Sequence, residues 1–360
     1  EPYCPEEGED FYGQDATYTI NPPDLTDNGD GTVTDNLTGL MWEQKNEVND
    51  PLTYTYDDAV AYCGDLVLGT YDDWRVPSRK EYTNLLNLST VSPALDTNYF
   101  PFFIRLIADD IYYWTSTPYH PDPTQVWVMQ LSFGIIEPQA KDETRKIRCV
   151  RGETEPEASY TDNSNGTVTD NVTGLMWEQK TDDGSPRDKD ETHTWLEALN
   201  YCEDLILGNY SDWRLPNPKE IERMVDFSTS NPAADTTYFP NTLSGNYWTS
   251  STCTGCHKHK AFAYDFTDGE VYFGLKKDVL GDGSYHEHST RCVRSYNPCE
   301  GNFDCDGDQD GTDAAVFKLH FGRSGFNNPC TYDNPCYGDF DEDGDADGTD
   351  AATFKGDFGR

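Results

Sequence analysis

No segment of the chain approaches the roughly 18 consecutive apolar residues that a bilayer-spanning helix needs, so membrane insertion is not expected. Basic residues are scarce: 26 Lys and Arg stand against 66 Asp and Glu, a formal net charge of -40. Nucleic acid and anionic membrane surfaces repel so acidic a chain, and cations are its natural partners. The chain opens at Glu1 with neither an initiator Met nor a charged-then-apolar leader, which reads as a mature protein whose export signal has been removed.

Aromatic residues are plentiful, at 13% with 8 Trp and 23 Tyr, and they fall among turn signals as small β-rich domains require. The 11 Cys, several at matched positions of a repeat, fit an oxidising compartment and hence an extracellular or cell-surface location.

Self-similarity organises the chain. Residues 31–45, Gly-Thr-Val-Thr-Asp-Asn-Leu-Thr-Gly-Leu-Met-Trp-Glu-Gln-Lys, return with one change at 166–180. Asp73-Trp74-Arg75-Val76-Pro77 matches Asp212-Trp213-Arg214-Leu215-Pro216, Tyr113-Trp114-Thr115-Ser116 matches Tyr247-Trp248-Thr249-Ser250, and Arg148-Cys149-Val150-Arg151 matches Arg291-Cys292-Val293-Arg294. Three regions follow: 1–152 and 157–296 as homologous domains, and 297–360 as a small module.

Each copy reads as α+β. The Gly-Thr-Val-Thr-Asp-Asn stretch alternates after a turn and predicts a hairpin. Apolar spacing predicts a helix over 56–68, ending at Gly69, and another over 192–207, ending at Gly208. A second helix begins at Ser78, where Glu81 completes a capping box, and at Asn217, where Pro218 takes the first helical position. In the second copy, 247–252, 261–266, 270–274 and 290–294 read as an antiparallel meander. With one cysteine on the first helix and one on the last strand of each copy, the expected disulfides are Cys63–Cys149 and Cys202–Cys292. The Asp-Trp-Arg motif reads as structural, with its Arg paired to a carboxylate and its Trp in the core.

These motifs resemble the Lcl C-terminal domain family, the globular domain of bacterial collagen-like adhesins, over roughly 8–152 and 157–296. The resemblance implies two C-type-lectin-like α+β domains, each with antiparallel sheets and two helices, and a role in adhesion that includes binding of sulfated polysaccharide.

Two later segments match a 12-position calcium loop, with oxygen ligands at alternate positions and Gly at the sharp turn. The first offers Asn302, Asp304, Asp306, Asp308, Asp310 and Asp313, and the second Asp339, Asp341, Asp343, Asp345, Asp347 and Asp350. Two calcium ions are expected. A helix-like Ala-Ala-x-Phe-Lys run follows each loop and none precedes it, which resembles the dockerin module, a small α-helical docking unit. Cys299, Cys305, Cys330 and Cys336 flank the loops with their pairing open, and Cys4 is left odd.

One cluster occurs in the second copy alone: Cys253, Cys256, His257 and His259 in one loop, with His286 and His288 before the last strand. Cys-x-x-Cys-His is the attachment signature of haem c. Zinc or copper on the same ligands, or a small Cys253–Cys256 disulfide with exposed histidines, are the other readings. Asp27 to Asp30 looks like a cation site, but Asn165 stands where the first copy has Asp30, and a hairpin turn explains the stretch better.

No Ser-His-Asp, paired-carboxylate or phosphate-loop constellation recurs in the two copies, and no enzymatic activity is expected. The sequence points to a secreted adhesion or scaffold protein, a self-assembling subunit of a surface fibre with a calcium-ordered docking module, whose partner is another protein or copies of itself. A lectin-like polysaccharide binder and an extracellular c-type haem protein are the alternatives.

Overall fold

Alternating β-branched residues after an Asn-Gly-Asp-Gly turn build the first hairpin, β1 (Leu25–Asp27) and β2 (Thr32–Asp35), to which β3 (Met41–Glu43) adds. In this computed structural model the described residues are 24–45, 53–88, 94–101, 112–132, 134–252, 259–276 and 286–295, with Lys318, Phe321 and Ala351. The chain divides into two compact units, Glu1–Arg294 and Ser295–Arg360. The fold described below is that of the first, which holds both repeats. Among the described residues, no helix is long and apolar enough to cross a membrane.

The first repeat continues through α1 (Tyr56–Asp65), α2 (Arg79–Leu85), an antiparallel meander of β4 (Tyr112–Pro118), β5 (Gln125–Gln130) and β6 (Ile135–Ala140), and β7 (Val150–Arg151), which returns to pair with β3. The second repeats this with β8 (Tyr160–Asp162), β9 (Thr167–Asp170), β10 (Leu175–Glu178), β11 (Thr192–His193), α3 (Trp195–Glu203), α4 (Pro218–Met224), β12 (Asn246–Thr252), β13 (Lys260–Asp265), β14 (Glu270–Leu275), β15 (His288–Ser289) and β16 (Val293–Ser295). The architecture is α+β, with antiparallel sheets and four helices among the described residues.

Side chains at the helix starts satisfy the free amides there. Ser78 with Glu81 forms the expected capping box and Pro218 sits in the first turn, while Asn217 with Glu220 forms a second box that was not expected. Both first helices end earlier than their apolar spacing predicts, at Asp65 and Glu203. The chain then runs extended, and Leu68 pairs with Tyr71 as Leu207 does with Tyr210. Gly69 (φ +61°) with Thr70 (φ +70°), and Gly208 (φ +67°) with Asn209 (φ +72°), close these two-residue turns. Positive φ at both central positions is the requirement of a primed hairpin turn, so each glycine serves a turn and not a helix end. The second copy's helix also starts late, because 192–193 pair as a strand and Thr194 is the cap.

The meander is antiparallel over three strands and stops there. The segment expected beside β14 instead splits: β15 lies on the far side of β12, parallel to it, and β16 joins β10 in the hairpin sheet. The Cys202–Cys292 bridge and the Arg291 hydrogen bond to the Glu178 carbonyl (2.7 Å) hold that last segment against α3 and β10, away from the meander edge.

Both expected disulfides are present, Cys63–Cys149 and Cys202–Cys292, and each closes a long loop. Each is worth about 2–4 kcal/mol in restricting the unfolded chain. All 8 tryptophans are buried. One apolar cluster runs across both repeats, from Trp42, Tyr82 and Trp127 to Tyr160, Ile221 and Phe262, so the repeats share a core.

Candidate functional site

The motif residues repeated in the two copies are consumed in pairs that hold the fold. Arg75 makes two hydrogen bonds to Glu81 (2.8 and 2.6 Å), the capping-box carboxylate of α2, and Arg214 does the same to Glu220. Trp74 and Trp213 are buried beside them. Arg151 grips Asp73 and stacks on Tyr71, and Arg294 with Asp212 and Tyr210 copies the arrangement. The Glu of Met-Trp-Glu accepts from the disulfide strand: Cys149 N–H reaches Glu43 and Cys292 N–H reaches Glu178, both at 3.1 Å. Tyr62 and Tyr201 hydroxyls donate to the same carboxylates.

The two repeats face each other through α2 and α4 in a near-symmetric clasp. Lys80 donates to the Arg223 carbonyl (3.2 Å), and Lys219, its counterpart, donates to the Asn84 carbonyl (2.7 Å). Each ammonium thus meets the C-terminal end of the opposite helix, where partial negative charge collects. Burial lowers the pKa of Lys80 and takes that of Lys219 down to about 8.

One contact breaks the symmetry. Arg79, fully buried, makes two bonds to Glu222 (2.9 and 3.1 Å) and one to the Gly269 carbonyl (2.6 Å), with its guanidinium between the rings of Trp127 and Phe227. The linker is tied in as well, since Glu155 accepts from Asn84 (2.6 Å) and pairs with Arg223 (3.1 Å). Burial raises the Glu155 pKa. Beside this clasp a groove of about 1080 Å³ opens between the repeats, lined in part by Tyr56, Lys80, His120, Glu155, Arg223 and Asp235. Tyr119, near it, donates to Asp268 (2.8 Å), and burial pushes its hydroxyl up to about 12.

Both calcium loops, 302–313 and 339–350, lie outside the described residues, as do Cys253, Cys256 and His257 and all of Cys4, Cys299, Cys305, Cys330 and Cys336. Asp27 to Asp30 form the expected turn, with Gly29 N–H bonded to Asp27 (2.8 Å).

His259, His286 and His288 are described, and the topology brings their backbones together. Thr252 pairs with Ala261 and Lys260 with Leu275, so the loops after β12 and β14 leave the sheet at one end. The His259 carbonyl accepts from Lys276 (2.9 Å) and His286 N–H reaches the Leu275 carbonyl (3.2 Å). The His286 and His288 rings lie 5.6 Å apart, each about 6 Å from the ring of Tyr272. His288 is 9% exposed, packs on Trp248 at 4.3 Å, and its Nε2 has no hydrogen-bond partner among the described residues. Burial, aided by His286, takes its pKa down to about 4.

Sequence reasoning passed over His193, which pairs with His288 across β11 and β15 and stacks on Tyr201. Its signal was available, because Tyr54 occupies the same place in the first copy. It also passed over Asp182, Asp188 and Asp190, whose carboxylates lie within 4.8 Å of one another; Lys189 bridges two of them.

A family model described as the Lcl C-terminal domain matches residues 31–151 and 166–294, more than half of the chain. No curated protein matches it.

Proposed function

Because this chain belongs to the Lcl C-terminal domain family, through two copies in tandem, we propose that it is a secreted, non-enzymatic adhesion or scaffold protein. It works as a self-assembling subunit of an extracellular surface fibre, with C-type-lectin-like bodies and a dockerin-like, calcium-ordered docking end. The observation that carries this is the clasp between the repeats, built on the buried Arg79–Glu222 pair and a shared core. It joins the two domains into one compact unit, which suits load-bearing and presentation of a fixed surface. Two disulfides and the lack of a membrane-crossing helix among the described residues fit an extracellular setting. Electron microscopy and sedimentation of the full chain test it: ordered assemblies form with calcium and disperse with chelator, while a monodisperse monomer under both conditions refutes the scaffold role.

The groove between the repeats favours a second reading, a lectin-like polysaccharide binder. Saturable binding to a glycan array supports it, and silence of the full chain removes it. The haem reading rests on Cys253, Cys256 and His257 in the sequence, and a Soret band in the purified protein decides it.

A further inference from the structure

The second repeat carries a histidine pair that the fold does not need. Strand pairing fixes the equivalence: Tyr54 bridges to Arg145 and Tyr113 to Lys146 in the first copy, as His193 pairs with His288 and Tyr247 with Ser289 in the second. Arg145 and Glu143 therefore occupy the places of His288 and His286. There they form an ion pair (3.7 Å), and Arg145 also donates to Gln139 (2.6 Å). A charged pair has been replaced by two imidazoles, and each copy leaves one nitrogen there buried without a hydrogen-bond partner among the described residues, Nε of Arg145 in the first and Nε2 of His288 in the second, of which only the imidazole nitrogen can offer a lone pair. An unpaired buried polar atom costs about 1–3 kcal/mol. A ligand that takes up its lone pair removes that cost.

We propose that His286 and His288 are the protein ligands of a late first-row transition-metal dication, with zinc or copper(II) as the fitting ions. The spacing is right for it. Residues two apart on an extended segment present side chains on the same face, and two imidazoles held by one zinc at about 2.0–2.1 Å place their ring centres about 5–6 Å apart. The observed separation is 5.6 Å.

Gly274 on β14 lets the Trp248 ring and, next to it, His288 pack against the strand: a Cβ there would collide first with Trp248 and would stand 2.8 Å from His288 Nε2. His286 accepts a long hydrogen bond at Nδ1 from Leu275 N–H (3.4 Å). Coordination through its Nε2 moves the ring proton to Nδ1 and gives up that contact. The segment is also held at its base, by the backbone bond from His286 to Leu275. Imidazole ligands select zinc and copper over calcium, which takes oxygen, so this site and the calcium loops do not compete.

The test is zinc titration of the full chain by calorimetry, in saturating calcium so that oxygen sites are filled. One zinc ion binds, and His286→Gln and His288→Gln each weaken it at least about tenfold, the scale on which even supporting groups act at metal sites. X-ray absorption at the zinc edge shows imidazole scattering in the wild type that falls in the variants. Should His288→Gln fail to fold, imidazole nitrogen NMR of the wild type serves instead: two histidine resonance sets shift together on zinc addition. Equal zinc affinity in the variants, an all-sulfur zinc shell, unshifted histidines or a Soret band assigning these residues to haem would each overturn the proposal.

Discussion

Arg79 of the first repeat and Glu222 of the second form an ion pair with side chains 0% and 1% exposed, at positions that the partner copies fill with Pro218 and Thr83. Two copies of repeat one would set Arg79 against Thr83, and two of repeat two would set Glu222 against Pro218. The pair therefore specifies the mixed pairing. Opposite charges used to fix which surfaces meet are the common device of interface specificity.

Breaking one side of this pair should be severe. Glu222→Gln or Arg79→Ala is expected to cost about 3–5 kcal/mol in denaturant unfolding, since the remaining group is left buried without its partner. The double change Arg79→Met with Glu222→Met should recover most of that loss. A single variant within 0.5 kcal/mol of wild type, a margin about that of ordinary surface changes, would show that the clasp is not buried in solution.

The turn after α1 offers a contrast between two glycines. Gly69→Ala should destabilise by about 1–2 kcal/mol for the left-handed backbone alone, and its new Cβ would stand 2.9 Å from the Asp30 carboxylate. Gly64, helical and with open space around it, should gain about 0.5–1 kcal/mol on change to Ala. Thermal melts of the two variants should shift in opposite directions.

That turn also shows what was legible in the sequence. Capping residues Ser78, Glu81, Asn217 and Pro218, the hairpin at 31–36 and the cysteine partners are local or repeated signals, and the structure has them. Apolar spacing ran past the real helix ends because Leu66 and Leu68 continue the pattern while extended, packed on the core cluster of Ala59 and Cys63. The place of β15 and β16 was hidden because sheet order depends on long-range contacts, here the disulfide and the Arg291 bond. The clasp was invisible for a different reason: comparison of the copies keeps what repeats, and Arg79 and Glu222 do not.

The clasp should also respond to alkali. Lys219 has a folded pKa of about 8, below its ordinary value of 10.5. Below pH 8 it is charged in both states and contributes no slope. Between about 8 and 10.5 the native state has released a proton that the unfolded chain still holds, so this group makes stability rise with pH. Lys80, also lowered, adds in the same direction. Lys219→Met should flatten the rise; an unchanged pH profile would place this ammonium in open water.

Reduction should loosen both copies. Cys63→Ser and Cys202→Ser are each expected to lower stability by about 2–4 kcal/mol in denaturant unfolding, with hydrogen-exchange protection falling most in α1 for the first and in α3 for the second. Full protection of α1 amides in Cys63→Ser would contradict this.

The docking end is tested most directly by calcium titration of the intact chain in a calorimeter. The account predicts two ions per chain, one lost in Asp306→Ala and the other in Asp343→Ala, with self-assembly or partner capture falling away in step with occupancy. Heat of binding absent from the wild-type chain, or assembly undiminished in excess chelator, would contradict it.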